Sequence, residues 1–178
     1  MDQGETECLG FLIKNLTKNY GTVTKMNKKQ KTRQEKWDKR YLKLCKEIST
    51  WSKDPSTKVG SVITDGTRFV SLGFNGMPEK IPDLEPLLHV RELKLKHIIH
   101  AEVNAICFSN RASLDGCTIY TYPFLPCCQC SPQIIQRGIS RVVSQVCVEK
   151  RWEGNLKESK HFMNMAGLEV VEYPFESA

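Results

Sequence analysis

The chain has 178 residues and a formal net charge of +6, with 40% hydrophobic and 26% charged residues. These values predict one globular domain with a well-buried core, and no apolar run is long enough for a membrane span. Acidic residues stand near the N-terminus where a secretory signal would be basic, and a core of this size needs no disulfide framework. We therefore expect free thiols and a reducing, intracellular, cytoplasmic location.

Residues 1–33 are predicted to be an N-terminal extension, basic and partly disordered, ahead of a folded domain at residues 34–178. Twelve lysines or arginines lie between Lys14 and Lys46, against Glu35 and Asp38 alone. This charge has two interpretations: an arm for nucleic acid or for an anionic substrate, or a solvated tail and helix face.

The first part of the domain is predicted to be a helix followed by a hairpin. Apolar residues recur at helical spacing from Lys36 onward, and the helix should stop before Asp54-Pro55. Asp65-Gly66 is a strong hairpin signal between strands at 58–64 and 67–74. The second strand runs into Gly73-Phe74-Asn75-Gly76, a turn whose glycines allow a close approach of the backbone.

The rest of the chain alternates between helices and strands. A basic helical stretch from about Val90 precedes a helix at 101–110. The later elements are strands at 117–122, 141–148 and 168–173 and helices at 127–137 and 155–166, with Gly138 and Gly167 as helix ends. This order predicts an α/β fold, with a mixed sheet covered by helices on both faces.

The candidate metal-binding side chains are one imidazole and two thiols. The imidazole lies in His100-Ala101-Glu102, and the thiols lie in Pro126-Cys127-Cys128-Gln129-Cys130. His100, Cys127 and Cys130 are three ligands of the kind that zinc prefers, and three ligands leave a fourth position open for chemistry. On a regular helix His100 and Glu102 would point nearly opposite ways, so we expect His100 at the helix start. A structural zinc site is the alternative, but it explains neither Glu102 nor Pro126.

The spacing H-x-E followed by P-C-x-x-C is the signature of zinc-dependent nucleobase deaminases. Four blocks extend the match: SKDPSTKVGSVI (52–63), GFNGMP (73–78), HAEVNAI (100–106) and the run from PFLPCCQC to GISRVV (123–143). Together they resemble the cytidine and deoxycytidylate deaminase superfamily, and most closely its deoxycytidylate (dCMP) deaminases. The resemblance implies a three-layer α/β/α sandwich around a five-stranded mixed sheet.

The resemblance also implies roles for particular residues. It makes His100, Cys127 and Cys130 the zinc ligands and Glu102 the group that moves protons. It places Asn75 against the sugar, the backbone of Ala101 near the ring, and Ser52, Lys53 and Lys58 on the phosphate side. Residues 76–99 hold His89 and His97 but no cysteine, so we expect one zinc ion per chain and no second, structural one.

The implied reaction is hydrolysis of dCMP to dUMP and ammonia, which supplies deoxyuridylate for dTMP synthesis. The implied partners are a nucleotide substrate, further copies in a homo-oligomer such as a hexamer, and dCTP and dTTP as effectors, but neither a membrane nor a nucleic acid. Arg111 is a candidate link to a neighbouring subunit, and an ordinary helix-end cation is its alternative.

Two other functions remain open at this stage. One is a related deaminase that acts on another cytosine nucleotide, a free nucleoside or single-stranded nucleic acid. The other is a non-enzymatic binding protein that zinc stabilises.

Overall fold

A computed structural model describes residues 27–174. By its internal contacts the chain divides into two units, Met1–Arg33 and Gln34–Ala178. The predicted disorder of the extension lies mostly outside the described residues, and the predicted domain boundaries stay a prediction.

The first helix begins at Lys28, eight residues before the predicted start. Asn27 and Gln30 account for this early start, because each side chain accepts a hydrogen bond from the backbone N–H of the other at 2.9 Å. Such reciprocal capping satisfies donors that a helix start otherwise leaves unpaired, and it stabilises a helix in a polar stretch without an apolar pattern.

The described residues form six helices, a short 3₁₀ turn at Lys150–Trp152 and five strands. The helices are α1 (Lys28–Ser49), α2 (Glu85–His89), α3 (Arg91–His97), α4 (Ala101–Cys107), α5 (Ser131–Gln136) and α6 (Glu153–Met165). The strands are β1 (Gly60–Asp65), β2 (Arg68–Phe74), β3 (Thr118–Tyr122), β4 (Arg141–Gln145) and β5 (Glu169–Tyr173). The five predicted strands are present, whereas α2 was not predicted, α4 ends three residues early and α5 begins four residues late.

The five strands form one mixed sheet in the order β2-β1-β3-β4-β5. β1 is antiparallel to both β2 and β3, whereas β3, β4 and β5 are parallel to one another. In register, Gly60 pairs with Phe74 on one side and with Tyr122 on the other. The start of β1 therefore lies at the same sheet edge as the carboxyl ends of β2, β3 and β4, and the loops at this edge build the site.

Neighbouring residues of each central strand point into two separate cores. Ile63, Ile119 and Val142 pack with α4, α5 and α6, and their neighbours Val62, Tyr120 and Val143 pack with α1. The alternation follows from the two-residue period of a strand. It gives the predicted three layers, with α1 on one face of the sheet and the other large helices on the opposite face.

Two glycines let the helices of the two faces lie directly on the sheet. A Cβ atom at Gly60 would stand 2.1 Å from the carbonyl oxygen of Cys45 in α1. A Cβ atom at Gly73 would stand 2.3 Å from the carbonyl oxygen of Ala101 in α4. Gly73 therefore sets how closely the start of α4, where the predicted metal ligand His100 lies, approaches the edge of the sheet.

A buried carboxylate ties α1 to three strands. Asp38 is fully buried and accepts hydrogen bonds from both terminal nitrogens of Arg141 on β4, at 2.9 and 2.8 Å. The hydroxyl groups of Tyr120 on β3 and Tyr173 on β5 also donate to it. Burial alone would raise the pKa of Asp38, but the hydrogen bonds and charge of Arg141, together with the bonds from Gln34 and Tyr173, outweigh burial and lower it.

None of the helices in residues 27–174 combines the length and the hydrophobicity that crossing a bilayer requires.

Candidate metal centre and active site

His100 is the residue immediately before α4, and its backbone is extended, with φ of −73° and ψ of 153°. The predicted position at the helix start is therefore observed, and His100 and Glu102 do not share a regular helical turn. Two backbone hydrogen bonds between Gly76 and Ile99 hold this segment against the GFNG turn. The side chain of Asn104 donates to the carbonyl oxygen of Phe74 at 2.8 Å and fixes the helix there.

Three donor atoms converge between the start of α4 and the turn before α5. The Nδ1 atom of His100 lies 3.3 Å from the Sγ atom of Cys127 and 3.2 Å from that of Cys130, and the two sulfur atoms are 3.7 Å apart. Tetrahedral zinc with these ligand types would hold its donors about 3.5–3.8 Å apart. The arrangement fits a zinc ion, as the sequence predicts.

The two cysteines come together in a turn rather than within the helix that was predicted from Cys127. The N–H groups of Cys130 and Ser131 both donate to the carbonyl oxygen of Cys127 at 3.0 Å, and α5 starts only at Ser131. A turn closed in this way places side chains three residues apart on one side, as a helical turn would.

The electrostatics of the three donors are mutually coupled. The hydrogen bond with Cys130 and the contact with His100 lower the pKa of Cys127 to about 4. The same bond to Cys127, together with burial, raises the pKa of Cys130. The contact with Cys127 raises the pKa of His100. One thiolate therefore forms readily at this site, and metal binding would displace the remaining thiol proton.

Glu102 lies beside the metal donors, as the sequence predicts. Its side chain is only 4% exposed, and its Oε2 atom lies 3.5 Å from the Sγ atom of Cys130. Burial raises the pKa of Glu102, although the neighbouring His100 opposes this effect. A carboxyl group with a raised pKa in a cavity can both accept and release a proton near neutral pH.

These residues form part of the lining of one cavity at the sheet edge described above. His100, Glu102 and Cys127 line it, together with Asn75 from the GFNG turn, Phe124 and Trp152. Trp152 packs against Phe124 with ring centroids 5.1 Å apart. The cavity thus combines a metal centre, a buried carboxylate and aromatic surfaces, which suits a flat, polar ring.

Asn75 lines the cavity while its amide group holds the neighbouring loop in place. Its Nδ2 atom donates to the carbonyl oxygen of Thr57 at 2.9 Å and to Asp54 at 3.2 Å, and its Oδ1 atom accepts from the backbone of Val59 at 2.8 Å. Oδ1 keeps one lone pair for a further donor.

The predicted phosphate residues do not line this cavity. Ser52 is buried, and its hydroxyl group donates to the carbonyl oxygen of Asn75 at 2.7 Å, so it supports the turn from behind. Lys53 points outward to an ion pair with Asp83. Lys58 lines a neighbouring hollow that shares part of this loop with the cavity. The turn that carries Lys53 and Lys58 does lie at the sheet edge of Asn75 and the metal donors, but neither lysine lines the cavity, and their contact with a phosphate stays a prediction.

Two further predicted residues lie away from the cavity lining. Ala101 is fully buried as the first residue of α4, beneath Gly73. Arg111 follows α4 and forms an ion pair with Asp65 at 2.9 Å at the hairpin end of β1. Its proposed link to a neighbouring subunit stays a prediction.

A buried ion pair in the cavity wall was not predicted from the sequence. The Nζ atom of Lys94 on α3 lies 2.8 Å from Asp54 and 2.7 Å from the hydroxyl oxygen of Ser56, and both charged side chains are 6% exposed. Asp54 belongs to the SKDPSTKVG block, one of the four blocks that carry the family resemblance, so the sequence marked this segment as part of the site. Lys94 gave no such signal, because it is one of several lysines in a basic helix.

Comparison with known sequences decides the family. Residues 35–146 match the sequence model for the cytidine and deoxycytidylate deaminase zinc-binding region. The chain belongs to this deaminase family. The resemblance seen in the four sequence blocks is thereby confirmed. The prediction of zinc as cofactor is confirmed by the family match together with the three converging donors.

Relatives of this deaminase include both bacterial and animal proteins. It is 42% identical over 144 residues to an uncharacterized deaminase in the luxG 3′ region of Aliivibrio fischeri, covering 79% of this chain and 96% of that protein. It is 34% identical over 154 residues to a probable deoxycytidylate deaminase of Drosophila melanogaster, covering 77% of this chain and 72% of that protein.

The crystal structure of the dCMP deaminase from the cyanophage S-TIM5, in complex with dCMP and dUMP, shares the fold of this deaminase. The TM-score is 0.62 at 24% sequence identity, covering 84% of this chain and 100% of that chain. This likeness confirms the predicted three-layer α/β/α architecture around a five-stranded mixed sheet.

Proposed function

We propose that this deaminase hydrolyses dCMP to dUMP and ammonia. The observation that carries the proposal is the buried carboxylate of Glu102, 3.5 Å from the thiol of Cys130 in the cavity where His100, Cys127 and Cys130 converge. The probable deoxycytidylate deaminase of Drosophila melanogaster supports the choice of substrate class.

The metal and the carboxylate have separate tasks in the proposed mechanism. His100, Cys127 and Cys130 would hold the zinc ion, which would lower the pKa of a water molecule to near neutrality. Glu102 accepts the proton from the attacking water and delivers it to N3 of cytosine, which makes C4 electrophilic. Glu102 then takes the proton of the new C4 hydroxyl group and passes it to the departing amine, so the C4–N bond breaks, ammonia leaves and the C4 carbonyl of uracil forms. That the backbone of Ala101 orients the ring stays a prediction.

Asn75 is proposed to position the sugar. Its remaining Oδ1 lone pair faces no other described donor, and it is suited to accept a hydrogen bond from the 3′-hydroxyl. The hydrogen bonds of Asn75 to the loop at 57–59 keep this amide in one orientation.

The first prediction concerns the choice of substrate. We expect dCMP to be deaminated best, ahead of CMP, dCTP and deoxycytidine, with single-stranded DNA inert. Arginine side chains in the cavity lining favour a phosphorylated ligand. Two charge-assisted hydrogen bonds to a phosphate would give dCMP at least about a hundredfold advantage in kcat/KM over deoxycytidine. The measurement is initial ammonia release from each compound by zinc-loaded protein.

Equal rates for deoxycytidine and dCMP would contradict the substrate proposal and favour a nucleoside deaminase. Deamination of single-stranded DNA would instead assign a role to the basic N-terminal region. Zinc binding without ammonia release from any cytosine compound would favour the non-enzymatic alternative.

We further propose a homo-oligomer, such as a hexamer, that responds to dCTP and dTTP. Apolar side chains exposed along residues 81–95, among them Ile81, Leu84 and Leu95, support a contact with further copies.

We expect dTTP to lower the rate of dCMP deamination and dCTP to restore it, measured at subsaturating dCMP. Indifference to both nucleotides at millimolar concentration would contradict this regulation, and Arg111→Met tests whether Arg111 transmits it.

We propose an intracellular, reducing location for the protein. Cys127 and Cys130 must stay reduced to act as zinc ligands, and the cysteines of the described part are free thiols. A reducing compartment preserves this state.

A further inference from the structure

Five charged side chains line the cavity, and three of them either form a buried ion pair or lie at the metal donors. They are Asp54, Arg91, Lys94, Glu102 and Arg151. The buried pair of Asp54 and Lys94 is mutually neutralised at 2.8 Å, and Glu102 lies at the metal donors. Arg91 and Arg151 therefore supply the positive charge that faces the cavity without a buried counter-charge.

Arg151 is held in one orientation at the cavity wall. Its Nε atom lies 2.7 Å from a carboxylate oxygen of Glu149, and its Nη2 atom donates to the hydroxyl oxygen of Thr57 at 3.2 Å. The guanidinium group also lies over the ring of Trp152, 5.4 Å from its centroid. Five N–H donors belong to a guanidinium group, so three of them stay available to a ligand.

Arg91 is placed near the same loop by its position on α3. It lies three residues before Lys94, so both side chains share one face of the helix. The Nζ atom of Lys94 reaches Ser56, whereas Arg151 reaches the adjacent Thr57. Arg91 and Arg151 line the same cavity as Ser56 and Thr57. Within residues 27–174 Arg91 has no ion-pair partner and makes no side-chain hydrogen bond.

We propose that Arg91 and Arg151 together bind the 5′-phosphate of the nucleotide, with the Ser56-Thr57 loop between them. The assignment rests on the proposed function and replaces the loop lysines that the sequence pattern suggested. Planar guanidinium groups bind phosphate oxygens through paired N–H donors. The ligand class is thus a pyrimidine nucleoside 5′-phosphate, with its base at the metal centre and its phosphate at the rim formed by α3 and the 3₁₀ turn.

Charge-removing variants test the assignment against two substrates. We expect Arg91→Met and Arg151→Met each to lower kcat/KM for dCMP by on the order of tenfold to a hundredfold, chiefly through KM. Deamination of deoxycytidine should change less than about twofold, because it carries no phosphate. Arg91→Lys should fall between the wild type and Arg91→Met, since it keeps the charge but loses the paired donors.

Matched controls remove a charge from the same two elements outside the cavity. Lys96→Met on α3 and Lys150→Met beside Arg151 are both at exposed positions, and we expect near-wild-type kinetics with both substrates. Equilibrium binding of dUMP and deoxyuridine gives a readout that does not depend on turnover. The arginine variants should lose affinity for dUMP and keep that for deoxyuridine.

Several outcomes would overturn the assignment. The phosphate assignment is wrong if both arginine variants keep the wild-type KM for dCMP and the wild-type affinity for dUMP. This outcome would leave the deaminase proposal intact. A loss of dCMP selectivity in Lys53→Met or Lys58→Met, with the arginine variants unaffected, would place the phosphate at the loop lysines instead. A wild-type protein that deaminates no cytosine compound would refute the proposed function itself, and the phosphate assignment with it.

Discussion

Glu102→Gln is expected to lower kcat for dCMP by about a hundredfold to ten-thousandfold while the protein stays folded and keeps its zinc. Glutamine matches glutamate in size but cannot carry a proton between water and the base, and proton transfer by a positioned side chain contributes about that factor. Glu102 is not one of the three converging metal donors. The measurement combines single-turnover rates with the zinc content and thermal stability of the purified variant.

Glu92→Gln on α3 is the control for this experiment, because Glu92 is exposed and does not line the cavity. It should have wild-type kinetics. Near-wild-type turnover in Glu102→Gln would remove Glu102 from the proposed mechanism. Loss of zinc from that variant would instead show that its carboxylate supports the metal centre.

Asp38→Asn is expected to destabilise the domain by about 3–5 kcal/mol, because it leaves the charge of Arg141 without its buried partner. The side chain of Asp38 is fully buried, and that of Arg141 is 13% exposed. Since Asp38 lies on the α1 face of the sheet, the molecules that remain folded should keep their activity. Denaturant unfolding followed by fluorescence, with kcat measured per folded molecule, checks both statements.

Asp65→Asn is the control, because its ion pair with Arg111 is largely exposed, and its loss should change the free energy of unfolding far less than Asp38→Asn does. The pH dependence of stability gives a second test of the ionic role of Asp38. The folded-state pKa of Asp38 lies below the ordinary value of 3.8, so its ionised form stabilises the fold above about pH 4, and this contribution is lost as the pH falls further. The difference between the wild type and Asp38→Asn should therefore shrink below pH 4. A constant difference would contradict the ionic role of Asp38.

The sequence was sufficient to predict the strand order along the chain and the metal donors, because both depend on local patterns. Alternating apolar residues mark the strands, and the spacing of Cys127 and Cys130 within one turn already places their sulfur atoms together. The position of His100 at a helix start followed from a steric argument about Glu102 two residues later. These features need little knowledge of the rest of the fold.

The charged residues around the Ser56-Thr57 loop could not be predicted in the same way, because their placement depends on the direction in which each long side chain leaves the backbone. Lys53 lies within a recognisable block, yet it turns outward to Asp83. Lys94 and Arg151 reach the Ser56-Thr57 loop from distant segments, and no local pattern distinguishes them from other surface cations. The early start of α1 was missed for a different reason. The helix was predicted from apolar periodicity, and the capping residues Asn27 and Gln30 are polar and add nothing to that pattern.

The contact between Arg151 and Thr57 joins residues 94 positions apart in the chain. Closing so long a loop costs chain entropy that only the surrounding packed structure offsets. Helices and the β1–β2 hairpin rest on local contacts and can form earlier, whereas this wall of the cavity requires nearly the whole domain to be in place. During synthesis on the ribosome, we therefore expect the first helix and the β1–β2 hairpin to form well before this wall of the cavity is complete.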